Sequence, residues 1–221
     1  MRTLIIGGSS GLGLELARQM AGQGEVIITG RTNPKVDFAE FRELELTGGD
    51  LAVRIGEFVS SLPEVDTCIY AAGFYQGKSL TDLTDDQIET MLSVGARGLI
   101  YTVRELLKKQ GKLGQLVTIT SSSQYTPRPL ETIYNFVKAG EAIFSAAVAQ
   151  DERVGKVLVA APSGMQTAFW REQPGKDTTE YMDPKWVAEQ IIQAASGEYE
   201  YKEIRLLRGN PPTVLDVTNR T

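Results

Sequence analysis

Short runs of β-forming residues alternate with helical runs along the chain, and this alternation limits the possible folds more than any other sequence feature. Strands that alternate with helices predict crossover connections and a mostly parallel sheet, covered by helices on both faces. Because no internal repeat or linker interrupts the order, we predict one doubly wound α/β domain over residues 1–221, with a seven-stranded sheet. The predicted strands are 3–8, 25–30, 41–46, 66–73, 114–122, 156–162 and 201–209.

The predicted helices lie between these strands, and two of them have clear start signals. Thr84 and Gln87 have the spacing of a capping box at the start of a long helical region over 84–109. Pro184 suits the first turn of the last helix, because a proline there loses no helical hydrogen bond. The tail 210–221 shows no clear periodicity and is assigned no element. The predicted helices are 11–22, 50–62, 84–109, 131–150 and 183–195.

The chain contains no histidine, which removes many kinds of active site. A Ser-His-Asp triad, a histidine zinc site and a histidine general base are all impossible. The single Cys68 excludes an internal disulfide and a cysteine cluster for a metal, so we expect no metal site. Acid–base chemistry at neutral pH must then come from Tyr, Lys, Asp or Glu side chains.

The charge and hydropathy of the chain limit its partners. The net charge is −5 and the isoelectric point is about 5.0, without a basic cluster, which argues against nucleic acid and anionic membranes as partners. No apolar run approaches the ~20 residues needed to span a bilayer. The N-terminus lacks the apolar stretch of a signal peptide, so we expect a cytoplasmic protein.

A glycine-rich turn follows the first predicted strand, where Gly7, Gly11 and Gly13 have the spacing G-x-x-x-G-x-G. Glycine permits a backbone with positive φ and lets the main chain approach a phosphate closely. The N-terminus of the following helix offers unpaired N–H groups to a pyrophosphate. A nucleoside triphosphate loop would need the lysine of G-x-x-x-x-G-K-[ST], which is missing here. The turn therefore favours a dinucleotide, and a glycine turn without a ligand is the alternative.

The end of the second predicted strand bears on which dinucleotide binds. NAD-binding units usually place Asp or Glu there to hold the ribose 2′-hydroxyl. In this chain Gly30 occupies that place and Arg31 follows it. An acid would repel a 2′-phosphate, whereas Arg31 can hold one through charge-assisted hydrogen bonds. The pattern favours NADP(H) over NAD(H), and a solvated surface arginine is the alternative interpretation.

Tyr134 and Lys138 lie four residues apart in the predicted helix 131–150, so they share one helix face. Taken alone, such a pair is most simply an exposed contact on an amphipathic helix. The absence of histidine makes Tyr134 a candidate for proton transfer. A phenol has an ordinary pKa of about 10, and an adjacent ammonium group favours its phenolate form.

These features together resemble the short-chain dehydrogenase/reductase family over nearly the whole chain. Residues 7–13 (GGSSGLG) resemble the cofactor turn of its Rossmann domain, and residues 70–73 (YAAG) resemble its Asn-Asn-Ala-Gly motif. Tyr134 and Lys138 (YNFVK) resemble its Tyr-x-x-x-Lys motif. Ser121 precedes Tyr134 at the distance of the family's catalytic serine. Each motif alone is weak, but together and in the right order they are specific.

The resemblance implies an enzyme that transfers a hydride between a nicotinamide and a carbonyl or alcohol substrate. Tyr134 would be the general acid/base, Lys138 would assist it and hydrogen-bond the nicotinamide ribose, and Ser121 would polarise the substrate oxygen. Three consecutive serines leave Ser122 as the alternative to Ser121. A homodimer or homotetramer is implied by analogy alone. The implied cofactor contacts are Gly7, Ser9, Ser10, Gly11, Leu12, Gly13, Arg31, Thr32, Leu46, Ala71, Ala72, Gly73, Tyr134, Lys138, Pro162, Met165 and Thr167.

One departure from the family pattern concerns its active-site asparagine, which usually lies on the long helix after strand four. Gly95 stands at that position, and Gly98 matches the glycine that follows it in the family. Gly95 has no side chain to hold a proton-relay water, so that relay must be altered. Both glycines favour close packing or a kink. A catalytically weak or inactive NADP(H)-binding regulator on the same fold is therefore the alternative function.

The segment 163–183 has the length of a substrate lid over the predicted site. Its apolar residues could line a pocket or could simply pack the segment onto the body of the domain. Arg171 and Lys176 could meet an anionic group or be solvated. The substrate is therefore predicted only as a carbonyl compound or an alcohol. The apolar candidates are Met165, Phe169, Trp170, Tyr181 and Met182.

Overall fold

Eight strands form one sheet in the computed structural model, which describes residues 1–167, 169 and 178–220. Their order across the sheet is β3-β2-β1-β4-β5-β6-β7-β8, and every neighbouring pair is parallel except β7 and β8. The predicted α/β domain with a mostly parallel sheet is confirmed. The strands are β1 (Arg2–Ile6), β2 (Glu25–Gly30), β3 (Glu40–Glu43), β4 (Thr67–Tyr70), β5 (Leu113–Ile119), β6 (Val154–Pro162), β7 (Tyr201–Leu207) and β8 (Thr213–Arg220).

The tail contains a strand that the sequence did not predict, so the sheet has eight strands and not seven. Strand β8 pairs antiparallel with β7, with Leu207 opposite Thr213. It lies at the edge of the sheet, where Leu215 and Val217 remain exposed. An edge strand held mainly by its main-chain hydrogen bonds carries no strict apolar alternation, and this explains why the pattern did not reveal it.

Six α-helices cover the two faces of the sheet in the described part of the chain. The capping box is confirmed, since the Thr84 hydroxyl accepts from the Gln87 main-chain N–H and the Gln87 side chain accepts from the Thr84 N–H. Pro184 is the first residue of its helix, as predicted. None of these helices has the length and apolar content that a membrane span requires. The helices are α1 (Gly11–Met20), α2 (Leu51–Ser61), α3 (Asp85–Leu92), α4 (Gly98–Gln110), α5 (Thr132–Val148) and α6 (Pro184–Ala195).

The two faces of the sheet are buried in separate apolar cores. In β1, Leu4 and Ile6 belong to one core and Ile5 to the other, because side chains alternate along a strand. The first core includes the apolar faces of α2 and α4, and the second includes those of α1 and α6. Burial on both faces explains why the central strands read as unbroken apolar runs.

The predicted helical region 84–109 is not one regular helix. A π-helical segment, Ser93–Arg97, separates α3 from α4. Tyr70, at the end of β4, donates its hydroxyl hydrogen to the Val94 carbonyl oxygen within this segment. A Cβ atom on Gly98 would overlap that hydroxyl group, so the glycine makes room for the tyrosine ring. Close packing at the glycine positions is thus confirmed, and the irregularity has the form of a π segment.

The sheet order defines a topological switch point beside β1. The chain runs from β1 to β2 and β3 on one side, then crosses to β4 on the other side. The loops after β1 and β4 touch, since a Cβ atom on Gly7 would lie 2.6 Å from the Ala72 nitrogen. Ligands of open α/β sheets bind at the carboxyl ends of the strands at such a point.

Candidate active site

A cleft of about 420 Å³ lies at the carboxyl ends of the central parallel strands. Every predicted cofactor contact except Thr32 lines it, and so do the three catalytic candidates. Thr32 is exposed beside Arg31. The predicted residues that line the cleft are Gly7, Ser9, Ser10, Gly11, Leu12, Gly13, Arg31, Leu46, Ala71, Ala72, Gly73, Ser121, Tyr134, Lys138, Pro162, Met165 and Thr167.

The geometry of the glycine turn fits a pyrophosphate. Gly7 and Gly11 have φ of 82° and 53°, in the left-handed region that glycine tolerates best. A Cβ atom on Gly13 would overlap the Gly7 carbonyl oxygen. The side chain of Ser10 does not cap α1, and the first turn of α1 carries no acid. The main-chain N–H groups at this helix N-terminus therefore suit an anionic ligand.

Gly7→Ala should destabilise the protein more than Gly48→Ala, although both glycines have φ of 82°. Gly48 has open space around its missing side chain, so Gly48→Ala should cost only the left-handed backbone strain of about 1–2 kcal/mol. Gly7→Ala adds a clash with the Ala72 main chain, worth about 1–3 kcal/mol more. Urea denaturation of both variants measures the difference. Equal losses would show that the turn has more room than the structure gives it.

Arg31 and Glu45 lie close together at one end of the cleft. The Glu45 carboxylate accepts hydrogen bonds from the main-chain N–H and the hydroxyl of Thr47, both at 2.9 Å. Burial raises the pKa of Glu45, but the Thr47 bonds and the Arg31 charge outweigh it and the pKa is lowered. Glu45 is thus ionised at neutral pH. Sequence reasoning missed it, although an acid just after β3 at the ligand edge of the sheet was a usable signal.

Tyr134 and Ser121 are brought together in the wall of the cleft. Tyr134 is buried near the start of α5, and its side chain lies close to that of Ser121, which follows β5 and donates to the Ser123 hydroxyl at 3.2 Å. The Ser122 hydroxyl instead accepts from Arg128 at 3.0 Å. Burial raises the pKa of Tyr134, and Lys138 and Ser121 lower it without cancelling the rise. The effect of Lys138 has the expected sign, but burial keeps the phenol protonated at neutral pH.

Lys138 is held from two sides inside the protein. Its Nζ atom donates to the Ile119 carbonyl oxygen at 3.1 Å and to Glu141 Oε2 at 2.8 Å. It lies 5.7 Å from the centre of the Tyr134 ring. Burial lowers the pKa of Lys138, but Glu141 and Tyr134 raise it above its ordinary value. Glu141 was not predicted, although an acid three residues after a lysine on one helix has ion-pair spacing.

Aromatic side chains surround the Tyr134 ring. The Tyr75 ring meets it edge-on at a centroid distance of 5.1 Å, and the Phe169 ring lies tilted at 6.4 Å. Met91 and Val137 are buried in the same small apolar cluster. The cluster explains why the phenol is desolvated, and it gives the cleft an apolar wall beside the tyrosine hydroxyl.

The predicted lid residues have different surroundings. Phe169 and Tyr181 line the cleft, as does Met165, whereas Met182 is buried in the core shared with α6. Met165 and Met182 form a parallel β-bridge that joins the two ends of the segment. The role of 163–183 as a lid stays a prediction. Three of its candidate residues lie outside the described part of the chain: Trp170, Arg171 and Lys176.

A polar network beside Ser121 was also missed by the sequence analysis. Arg128 donates to Glu131 Oε2 at 3.1 Å and to the Ser123 hydroxyl at 2.9 Å. Ser123 in turn donates to Glu131 at 2.7 Å. All three residues line the cleft. Ser123 lies in a short 3-10 helix, and Arg128 and Glu131 lie in the loop before α5, where no periodicity marks which side chains turn inward.

Comparison with known proteins places the chain among dehydrogenases. Residues 2–178 match the family model described as short chain dehydrogenase. The chain is 28% identical to an uncharacterised short-chain type dehydrogenase/reductase of Sinorhizobium fredii, over 79% of this chain and 73% of that protein. It is 25% identical to a short chain dehydrogenase of Aspergillus fumigatus, over 94% and 95%. The closed form of serine dehydrogenase complexed with NADP+ has a TM-score of 0.80 at 22% identity, over 92% and 94%.

The two kinds of comparison carry different weight. The likeness to serine dehydrogenase, at 22% identity, shows a shared fold. The family-model match runs from β1 through most of the chain, and it includes the glycine turn and the Tyr134–Lys138 pair. The chain belongs to the short chain dehydrogenase family of oxidoreductases, which act on CH–OH and C=O groups.

Proposed function

We propose that this protein is an NADP(H)-dependent oxidoreductase that interconverts a carbonyl compound and its alcohol, with Tyr134 as general acid/base. The placement of Ser121, the buried Tyr134 and Lys138 in the wall of one cleft, together with the glycine turn, is the observation that carries the proposal. Lys138 lies on the same helix and supplies a nearby positive charge. No other reaction class suits a phenol, a hydroxyl and an ammonium group next to a dinucleotide turn as well.

The cofactor would lie along the cleft from Arg31 to Tyr134. The glycine turn and the α1 N-terminus would hold the pyrophosphate, and Thr167 lies across from Gly11, with its side chain 3.7 Å from a Cβ placed there. An ammonium group has three N–H donors, and Ile119 and Glu141 take two of those of Lys138. The third would serve the nicotinamide ribose. When bound, NADPH supplies the hydride at nicotinamide C4.

Tyr134 and Ser121 would act on the substrate oxygen. In reduction, Tyr134 donates its proton to the carbonyl oxygen while Ser121 donates a hydrogen bond to it; in oxidation, Tyr134 accepts the proton. Because burial raises the pKa of Tyr134, the phenol form needed for reduction prevails at neutral pH. Reduction should therefore be fastest on the acid side of the pKa of Tyr134 and fall above it, and oxidation should rise with pH over the same range.

The substrate side of the site combines an apolar wall with a polar network. Phe74 and Phe169 line the cleft near Tyr134, and Arg128 and Glu131 lie on the Ser121 side. A small carbonyl compound with an apolar flank and a polar group suits this lining. Consumption of NADPH in the presence of ketones and aldehydes of this kind tests the function.

Arg31 supports the preference for NADP(H), and Glu45 has a separate role there. The Arg31 guanidinium would pair with the 2′-phosphate, which carries more negative charge than Glu45. The Glu45 carboxylate, already fixed by Thr47, could accept a hydrogen bond from the adenine amino group. In this arrangement Arg31 pairs with the 2′-phosphate, and the Glu45 carboxylate contacts a different part of the cofactor.

Arg31→Asp should weaken NADPH binding by about 10- to 100-fold while changing NADH binding by no more than a few-fold, because only NADPH carries the 2′-phosphate. Arg104→Asp makes the same change of charge on α4, away from the cleft, and should leave both affinities unchanged. Titration calorimetry with both cofactors measures this. Equal losses for NADPH and NADH in Arg31→Asp would reject the assignment.

Assembly into a homodimer or homotetramer stays part of the proposal. Phe136 and Ile143 on α5 are exposed to 65% and 70%. Ile100 on α4 is exposed to 39%. Large apolar side chains on the surfaces of two long helices support contact with a second copy.

A further inference from the structure

A buried carboxylate occupies the space beside Gly95, the position where the family resemblance places an asparagine. Gly95 is buried within the π segment and packs against residues of α5. A Cβ atom at this position would overlap the Val137 side chain and would lie 3.0 Å from Glu141 Oε1. A side chain at position 95 and the Glu141 carboxylate therefore compete for the same space. The missing side chain at Gly95 leaves room for the Glu141 carboxylate.

Burial of the Glu141 carboxylate costs free energy, and its contacts indicate that it acts on Lys138. Its side chain is 0% exposed, and Oε2 accepts from Lys138 at 2.8 Å. Oε1 has no hydrogen-bond partner among the described residues. A buried ion pair is commonly no more stable than a well-packed apolar pair, so packing alone gives no reason for the carboxylate. An unpaired buried oxygen is a further cost that a purely structural residue would avoid.

We propose that Glu141 is the positioning residue that takes over from the missing asparagine side chain. Together with the Ile119 carbonyl it fixes Lys138 Nζ, and it keeps the ammonium group charged at the wall of the cleft. This proposal rests on the proposed function, in which Lys138 assists Tyr134 and hydrogen-bonds the nicotinamide ribose. Gly95 is the residue that makes the arrangement possible.

The charges around this carboxylate determine what its removal should do. Lys138 and Tyr134 face it from α5, and Tyr70 faces it from β4. Glu131 acts on Tyr134 from the start of α5. Burial lowers the pKa of Lys138 and the Glu141 charge raises it; the same charge raises the pKa of Tyr134. Without the charge, both groups should lose their protons at lower pH.

Glu141→Gln keeps the size and a hydrogen-bond acceptor but removes the charge. In protein labelled with ¹³C at the lysine ε-carbon, the Lys138 signal is identified by its loss in Lys138→Arg. Because the Glu141 charge raises the pKa of Lys138, we expect that signal to titrate at least about one pH unit lower in Glu141→Gln than in the wild type. This measurement needs neither cofactor nor turnover.

The pH profile of carbonyl reduction gives the second readout. In Glu141→Gln, the alkaline limb of kcat/KM should move down by about one pH unit or more, so the loss of activity should approach about tenfold at pH values above both limbs. Glu141→Asp keeps the charge but shortens the side chain, so its limb should lie between the other two. Glu105→Gln, which breaks an exposed pair with Lys108 at the same spacing, should leave the limb unchanged.

The outcomes are distinct. A Lys138 signal that titrates at the same pH in the wild type and Glu141→Gln would overturn the proposal, as would a loss of activity equal at every pH. If Glu141→Gln does not fold, the pH profile of Glu141→Asp decides. An alkaline limb of kcat/KM at the same pH as in the wild type would then overturn the proposal. If the wild type reduces no carbonyl compound, the proposed function fails, and the Lys138 titration still decides whether Glu141 holds the lysine charged.

Discussion

Tyr134→Phe lowers the turnover of carbonyl reduction by about 10²–10⁴-fold, the usual contribution of a positioned general acid. Phenylalanine keeps the ring and its contacts with Tyr75 and Phe169 but removes the hydroxyl that would donate the proton. The loss should therefore appear in kcat, with little change in NADPH affinity. Steady-state kinetics at saturating NADPH, followed by the loss of its absorbance, provide the measurement.

Tyr199→Phe is the matched control for this substitution. Tyr199 is also buried, and its hydroxyl accepts a hydrogen bond from Gln115 at 2.8 Å, away from the cleft. Tyr199→Phe removes a buried hydroxyl with a hydrogen bond and should cost about 1 kcal/mol of stability, and we expect no larger loss in Tyr134→Phe. Only Tyr134→Phe should lose turnover. Reduction at the wild-type rate by Tyr134→Phe would remove the tyrosine from the mechanism.

Lys138→Met destabilises the protein by about 3–5 kcal/mol at pH 7, because it leaves the Glu141 carboxylate buried without its partner. Lys138→Met/Glu141→Gln should recover most of this loss, since the double variant buries no charge. The exposed pair of Glu105 and Lys108 has the same spacing, and Lys108→Met should cost less than about 1 kcal/mol. Urea denaturation of the four proteins gives the free energies of unfolding.

The loss in Lys138→Met should depend on pH in a definite direction. Burial raises the pKa of Glu141 even in the wild type, and removal of Lys138 removes the charge that opposes this rise. Below the ordinary pKa of 4.5 the carboxyl is protonated in both the folded and unfolded chains, so the deficit is smallest there. The deficit grows as pH rises above the folded-state pKa of Glu141 in the wild type, and it levels off above the higher folded-state pKa of Glu141 in Lys138→Met. A deficit that is constant from pH 4 to pH 8 would contradict the buried pair.

The fold and the location of the site could be predicted because both follow from patterns along the chain. The alternation of strand and helix runs predicted that the strands are mostly parallel. Parallel strands bring their carboxyl ends to one edge of the sheet. Gly7, Ala72 and Ser121 each follow such a strand, so they had to meet near one cleft. Tyr134 and Lys138 joined them because α5 begins just beyond β5 and its loop.

The contacts that were missed depend on packing between elements and leave no periodic trace. The Tyr70–Gly98 and Glu141–Gly95 contacts each join a side chain from one element to a glycine near the π segment. The sequence showed both glycines, but only the irregular winding at Ser93–Arg97 reveals what fills their space. Arg128 and Glu131 lie in a loop, where the direction of a side chain is set by local turns.

The most direct test of the proposed function is the transfer of deuterium from NADPH labelled at nicotinamide C4 to ketones and aldehydes. We expect the wild type to form an alcohol carrying deuterium at the former carbonyl carbon, and Tyr134→Phe to form almost none under the same conditions. A wild-type protein that binds NADPH in the cleft yet transfers no label to any of these compounds would contradict it, and would favour a regulator that senses the cofactor on the same fold.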